Sequence, residues 1–250
     1  TLIAQGISAV ISFALLMRKL KGYREEEKVR LYSGEMAASM VKIAVPSTLQ
    51  QSIVHVGILL VQAVINSFGS TALAGYSAGM RIESLSIVPM LAMGNAMSTF
   101  TAQNMGAGNI DRVKKGYQMC YVIVLTAGAV LCIMYQLAGG MFVSLFLDSG
   151  SSEAYNIGLS YVRFLSFFYS FIGLKASTDG LLRGAGDVVA FTVANLVNLA
   201  IRVSVTNLFA PVYGIQVAWM AVPLGWAANY VISFGWYLTG KWKNVRVIRK

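Results

Sequence analysis

Seven ionisable side chains lie inside long apolar stretches of this 250-residue chain: His55, Arg81, Glu83, Arg163, Lys175, Asp179 and Arg202. Away from water an ionised group is costly, so each of them needs a partner, an aqueous cavity or a task that uses its charge. Their types restrict the task. The carboxylates and the imidazole can take up and release protons or hold a small cation, whereas the Lys and Arg side chains can hold an anion or neutralise a carboxylate. Covalent chemistry has no basis here. His55 is the sole histidine, and no nucleophile–base–acid set, metal-ligand cluster or phosphate loop accompanies it, so the sequence reads as neither an enzyme nor a metal- or cofactor-binding protein. Cys120 and Cys132 fall in one apolar stretch and read as small buried hydrophobes.

Spacing groups these residues further. Lys175, Asp179 and Arg183 recur every four positions with alternating sign, as either an ionic stripe along a gate or a static internal salt bridge. At about 1.5 Å per helical residue, Lys175 lies about 12 Å and Asp179 about 6 Å inward from Arg183, and Arg202 about 22 Å from Asp187. His55 and Glu83 stand on either side of a connection centred near Ser70, at depths differing by about 3 Å. Two readings stand for His55: a proton-exchanging pair with Glu83, or a hydrogen bond to Gln51, Gln62 or a backbone group. Asn95, Asn195 and Asn198 are polar lining candidates, with helix-to-helix amide bonds as the alternative. The 12 Met and 28 aromatic residues suit a pliable apolar cavity, and Tyr161, Tyr169, Phe168, Met90 and Met93 are candidate lining.

The elements that carry these residues must be membrane helices. Hydrophobic residues make up 56% of the chain and charged ones 12%, against about 25% charged in soluble domains. Seven apolar stretches are legible, roughly 2–17, 43–68, 76–101, 117–147, 155–181, 188–210 and 215–238. Lipid offers backbone amides no partner, and the stretches lack period-two alternation, so the expected fold is an all-α integral membrane protein with seven transmembrane helices.

The net charge of +10 would point to nucleic acid if the bases formed a polar patch interleaved with aromatics. Instead, of the 20 Lys and Arg residues, all but Arg81, Arg163, Lys175 and Arg202 fall in alternate connections or the tail, and the connections around 67–75, 148–153 and 210–214 carry none. The partner is therefore the lipid bilayer, the basic side is expected to be cytoplasmic, and the C-terminus is expected there, in the cytoplasmic membrane. The start, Thr1-Leu2-Ile3-Ala4, is already apolar with no basic leader, which reads as a cut inside or just before a helix with protein missing upstream.

A family resemblance rests on four segments. The third stretch and its exit carry Arg81-Ile82-Glu83-Ser84-Leu85, then Pro89, Gly94, Asn95 and Ser98, ending Gln103-Asn104-Met105-Gly106-Ala107-Gly108-Asn109 with Arg112 and Lys114. The others are Leu182-Arg183-Gly184-Ala185-Gly186-Asp187, Val45-Pro46-Ser47 and Ile3-Ala4-Gln5-Gly6-Ile7-Ser8. Taken in their order along the chain they resemble the multidrug and toxic compound extrusion (MATE) transporters. The resemblance implies a twelve-helix transporter of two six-helix lobes. Residues 1–20 would then be the last helix of an N-terminal lobe, 21–42 a cytoplasmic linker, 43–240 the C-terminal lobe and 241–250 a basic tail.

The implied function is secondary efflux of amphiphilic, often cationic, compounds in exchange for H⁺ or Na⁺ by rocking of the lobes, with no cofactor. The substrate and ion-coupling candidates are His55, Glu83, Lys175, Asp179, Arg202, Asn195 and Asn198. Some members are similar in carrying an acidic pair at places that fall near Val54 and Gly173 here, and neither is acidic. A branch that couples through an Asp in the absent N-terminal lobe would resemble this chain better. The embedded charges favour anions, which keeps a flippase for lipid-linked saccharides or polyprenyl phosphates as an alternative. A seven-helix receptor also fits the span count, but not the ordered motifs. The glycines of the two loops read as permissive turns and their bases as complements to helix ends.

Overall fold

The computed structural model describes residues 2–20, 34–148 and 152–244. Most of the expected linker and the end of the basic tail lie outside the described residues, as do the side chains of Gln51, Pro46 and Ser47. The helices are α1 (Leu2–Leu20), α2 (Gly34–Asn66), α3 (Ser70–Gly106), α4 (Ile110–Ser144), α5 (Glu153–Ser166), α6 (Tyr169–Gly184), α7 (Val188–Tyr213) and α8 (Gln216–Leu238), followed by a 3₁₀ turn at Lys241–Asn244. Among the described residues no strand occurs. The chain divides into two compact units, Thr1–Thr48 and Leu49–Lys250. The first holds α1 and the start of α2; the site described below is in the second.

Among the described residues α3, α4, α7 and α8 are each long and apolar enough to cross a membrane, and α5 with α6, bent by 54° at their junction, is long and apolar enough only as a pair. Among the described residues the seven stretches give eight helices, because the one at 155–181 breaks at Phe167 and Phe168. The cause is a captured carbonyl. Ser166 Oγ donates to the Arg163 carbonyl at 2.7 Å, and Gln136 Nε2 of α4 donates to the same carbonyl and to Ser166 Oγ, both at 2.8 Å. A helix whose carbonyl is taken by side chains bends at that turn.

The two Gly-rich loops are one device used twice. After α3, Asn109 N–H donates to the Asn104 carbonyl at 2.8 Å across Gly108, whose φ is +73°. After α6, Asp187 N–H donates to the Leu182 carbonyl at 2.9 Å across Gly186, with φ +85°. Both are the helix-ending pattern that needs a left-handed residue, for which glycine is suited. Asp187 then caps α7 through Ala190 N–H at 3.4 Å and accepts from Trp236 Nε1 at 2.6 Å, tying the turn to α8. Gly184 serves differently: a Cβ there would strike the Ser98 carbonyl.

Small residues set the interior. Along α6, Ala176, Gly180 and Gly184 recur every four positions and meet Gly94 and Ser98 of α3 backbone to backbone. On the other half of α3, Gly75 faces Ala154 and Ile157, and Gly79 faces the Tyr161 ring. Close approach through small residues is how helices associate in lipid, where apolar side chains gain nothing by leaving one apolar medium for another. This packing holds α5 and α6 against α3, and so places Tyr161 beside Glu83.

Candidate functional site

Glu83 is buried on α3 and accepts a hydrogen bond from the Tyr161 hydroxyl of α5. The Tyr161 ring is itself held edge-on between Tyr76, at 5.2 Å, and Trp219 of α8, at 5.6 Å. Glu83 and Tyr76 line a cavity of about 390 Å³ bounded by α2, α3 and α7. Its wall is mostly apolar, with Ile58, Val61, Met80, Ile87, Leu91 and Leu199 facing in. Arg202 of α7 reaches the same cavity and acts on Glu83 through space, without an ion pair between them among the described residues. A carboxylate, a guanidinium and an amide, Gln62, thus face a half-open, mostly apolar cavity large enough for a small organic molecule.

A second polar cluster ties α6 to α7 and α8. Lys175 Nζ donates to Asp179 Oδ2 at 2.8 Å and to Asn195 Oδ1 at 3.0 Å. Asn195 Nδ2 donates to Asp179 Oδ2 at 3.2 Å, and Ser233 Oγ donates to Asp179 Oδ1 at 2.7 Å. With side chains only 14% and 6% exposed, the pair is desolvated and its hydrogen bonds are satisfied. Removing one partner of such a pair strands a charge, at a cost of about 3 kcal/mol or more, whereas removing both together costs less. Lys175→Met and Asp179→Asn are each expected to destabilise the full-length protein more than Lys175→Met with Asp179→Leu, by thermal unfolding in detergent. Equal or greater loss in the double variant would mean that the pair is a net stabiliser instead.

The structure brings together some of the sequence candidates and separates others. Glu83 and Arg202 share the cavity; Lys175, Asp179 and Asn195 form the cluster. Asn198 lies between the two on α7, at the Gly225 approach of α8, with its Oδ1 buried and without a hydrogen-bond partner among the described residues. His55 is exposed on α2, lines no part of the cavity, and no hydrogen bond joins it to Glu83 among the described residues. Arg183 does not continue the stripe: it donates to Asn95 Oδ1 at 2.8 Å and lies over the Phe191 ring. Met90 and Tyr169 are core rather than lining. At Gly173, one of the two places where an acidic residue is lacking, a Cβ would come within 2.7 Å of Val124 and 3.0 Å of the Met90 sulfur, leaving no room for a carboxylate. Sequence reasoning missed Tyr161 as the partner of Glu83. The four-residue rhythm Asn198, Arg202, Thr206 on α7 was the available signal for that helix's inner face.

Comparisons with known proteins agree with this architecture. A probable multidrug resistance protein, YpnP of Bacillus subtilis, is 26% identical over 249 residues, covering 99% of this chain and 55% of that protein. A probable multidrug resistance protein, NorM of Thermotoga maritima, is 20% identical over 220 residues, covering 84% and 46%. A crystal structure of MATE in the straight conformation superposes with a TM-score of 0.79 at 17% identity, over 94% of this chain and 55% of that one. A MOP superfamily transporter from Pyrococcus furiosus gives a TM-score of 0.76 at 19% identity, over 88% and 51%. The chain spans about half the length of these relatives. At such identities the structural likeness speaks for the fold, an all-helical integral membrane one. The MatE family signature itself matches residues 46–208, from the second apolar stretch to the end of the sixth, and the chain belongs to that family of membrane transporters.

Proposed function

We propose that this chain forms one lobe of a secondary transporter that expels amphiphilic compounds in exchange for an inward-moving cation, H⁺ or Na⁺, as the lobe rocks against a second one supplied by the rest of the protein. The observation that carries this reading is the cavity: a half-open, mostly apolar space with a buried carboxylate, Glu83, set in its wall and held by Tyr161. An ionised Glu83 favours a positively charged amphiphile beside it; a neutralised one does not, so the cation and the compound compete for one charge. That competition is what exchange requires. The relatives named as probable multidrug resistance proteins support the same reading. The two basic turns, with Arg112 and Lys114 after α3 and Arg183 before α7, would lie on the cytoplasmic side together with the C-terminus.

Membrane vesicles containing the full-length protein and loaded with ethidium test it. Release is expected to need an inward cation gradient and to stop when ionophores collapse it; release that persists without any gradient would overturn the reading. Arg202 in the cavity wall favours a second reading, a flippase for lipid-linked saccharides or polyprenyl phosphates. Under that reading a lipid-linked pyrophosphate would cross the vesicle membrane and ethidium would not.

A further inference from the structure

Two stretches of chain that are distant in sequence meet at the basic end of the molecule. Trp242, in the 3₁₀ turn after α8, is fully buried: its indole N–H donates to the Tyr237 carbonyl at 3.0 Å, and its ring stacks on that of Tyr237 at 5.6 Å. Tyr237 in turn packs on Tyr117, near the start of α4, at 4.6 Å. The turn is thereby folded back toward α4, and Lys243 joins Lys114 and Lys115 there. All three ammonium groups act on one carboxylate, Asp111, which pairs with Lys114 at 2.9 Å. Positive charge is therefore in excess at this rim, and Lys115 is exposed. Lys241 of the same turn lies apart, over the Trp236 ring at 5.2 Å.

Below the rim a seam runs between α4 and α8, bridged by rings. Tyr121 of α4 donates a hydrogen bond to the Tyr230 hydroxyl of α8 at 3.2 Å, and Phe234 stacks between Tyr230 and Tyr237, at 5.4 and 6.0 Å. Helix spacing puts Lys114 and Leu125 on the same flank of α4 as Tyr121, the flank turned to α8. Outside the rings the seam is apolar and uncovered: Val122 and Leu125 on α4, and Val231 and Leu238 on α8, are all exposed. From Lys114 to Leu125 is about 16 Å along the helix, close to the hydrocarbon depth of one leaflet, about 15 Å.

We propose that this end of the α4–α8 seam binds one anionic phospholipid, its phosphate held by Lys114, Lys115 and Lys243 and its acyl chains laid along the seam. The inference stands apart from which compound or ion is transported. A soluble anion would use the rim and leave the apolar strip beneath it bare; a lipid without net charge would use the strip and leave the rim uncompensated. A phospholipid with a negative head matches both. Tyrosine and tryptophan gather at the boundary between water and lipid, which is the level at which Tyr237 and Trp242 set the rim. The Lys side chains reach that level while their stems cover apolar surface. Because the rim comes from α4 and from the turn after α8, a bound head ties that turn to α4.

The test is binding of phosphatidylglycerol to the full-length protein in detergent, read by native mass spectrometry against phosphatidylcholine of the same chain length. Phosphatidylglycerol is expected to bind at least about tenfold more tightly, and Lys115→Gln with Lys243→Gln to remove most of that preference. These changes leave the Asp111–Lys114 pair and Trp242 in place. Arg112→Gln is the control: Arg112 lies over the Phe100 ring of α3, and its loss should change the preference by less than about twofold. Inorganic phosphate in large excess should displace no more lipid than chloride at the same ionic strength. Equal binding of the two lipids by the wild type, or an undiminished preference in the lysine double variant, would overturn the site. So would a loss in Arg112→Gln as large as in the double variant, which would mean that the lipid answers to overall charge, or displacement by phosphate, which would make the rim a site for a soluble anion. Should the double variant fail to reach the membrane, Lys115→Gln alone carries the test, with a loss of about threefold or more.

Discussion

Glu83→Gln is expected to lower acid-driven ethidium release at least about a hundredfold, with little change in protein yield or unfolding temperature. Glutamine keeps the shape and can still accept from the Tyr161 hydroxyl, so the α3–α5 contact through Gly75, Gly79 and the aromatic trio is left intact. What it removes is the ability to alternate between charged and neutral. A transporter whose compound and ion compete for one carboxylate cannot exchange them once that carboxylate is permanently neutral. Downhill leak of the dye, which needs no exchange, should survive. The comparison of driven and downhill release on the same vesicles therefore distinguishes loss of coupling from loss of the cavity.

Gly180→Val should lower stability sharply, and Gly106→Ala should leave it nearly unchanged. A Cβ on Gly180 would fall on the Gly94 carbonyl, and one on Gly94 would come within 2.6 Å of the Ala176 carbonyl, so neither side has a flexible side chain that can yield. Accommodating valine means pulling α3 from α6 along their whole contact, and overpacking of this kind costs about 3 kcal/mol or more, a large part of the stability of a lobe. At Gly106 nothing lies within 4 Å of the added methyl and the backbone is helical, so alanine should change stability by less than about 0.5 kcal/mol. Thermal unfolding of the full-length protein in detergent reads both. A tolerated valine at 180 would mean that the close α3–α6 approach is not essential.

The sequence made the scaffold legible because its cues are local. Apolar length marks the helices, and Gly108 and Gly186 mark their ends, since a left-handed cap suits glycine at the place where a helix stops. Lys175 and Asp179 were readable as a pair for the same reason: four residues turn a helix by about 40° beyond one full turn, so the side chains meet. Arg183 was misplaced by extending that rule. Eight residues leave it rotated about 80° from Lys175, toward Asn95 of α3.

The His55–Glu83 pairing fails on the same count. Depth arithmetic fixes the height of a residue and not the direction it faces, and Glu83 faces α5. The break between α5 and α6 depends on Gln136, and the partner of Glu83 lies 78 residues along the chain from it. Such long-range contacts leave no mark in local pattern. Composition did place an ionisable group inside an apolar helix, which was enough to single out Glu83 before its surroundings were known.

The most direct test is the pH dependence of ethidium binding to the full-length protein in detergent, at equilibrium and with no gradient, between about pH 5 and pH 9. Competition for one carboxylate means that binding tightens as pH rises, by up to about tenfold per unit where Glu83 titrates, and that Glu83→Gln binds weakly at every pH with a flat profile. A Glu83→Gln protein that retained the wild-type slope would show that the proton and the compound do not compete at Glu83.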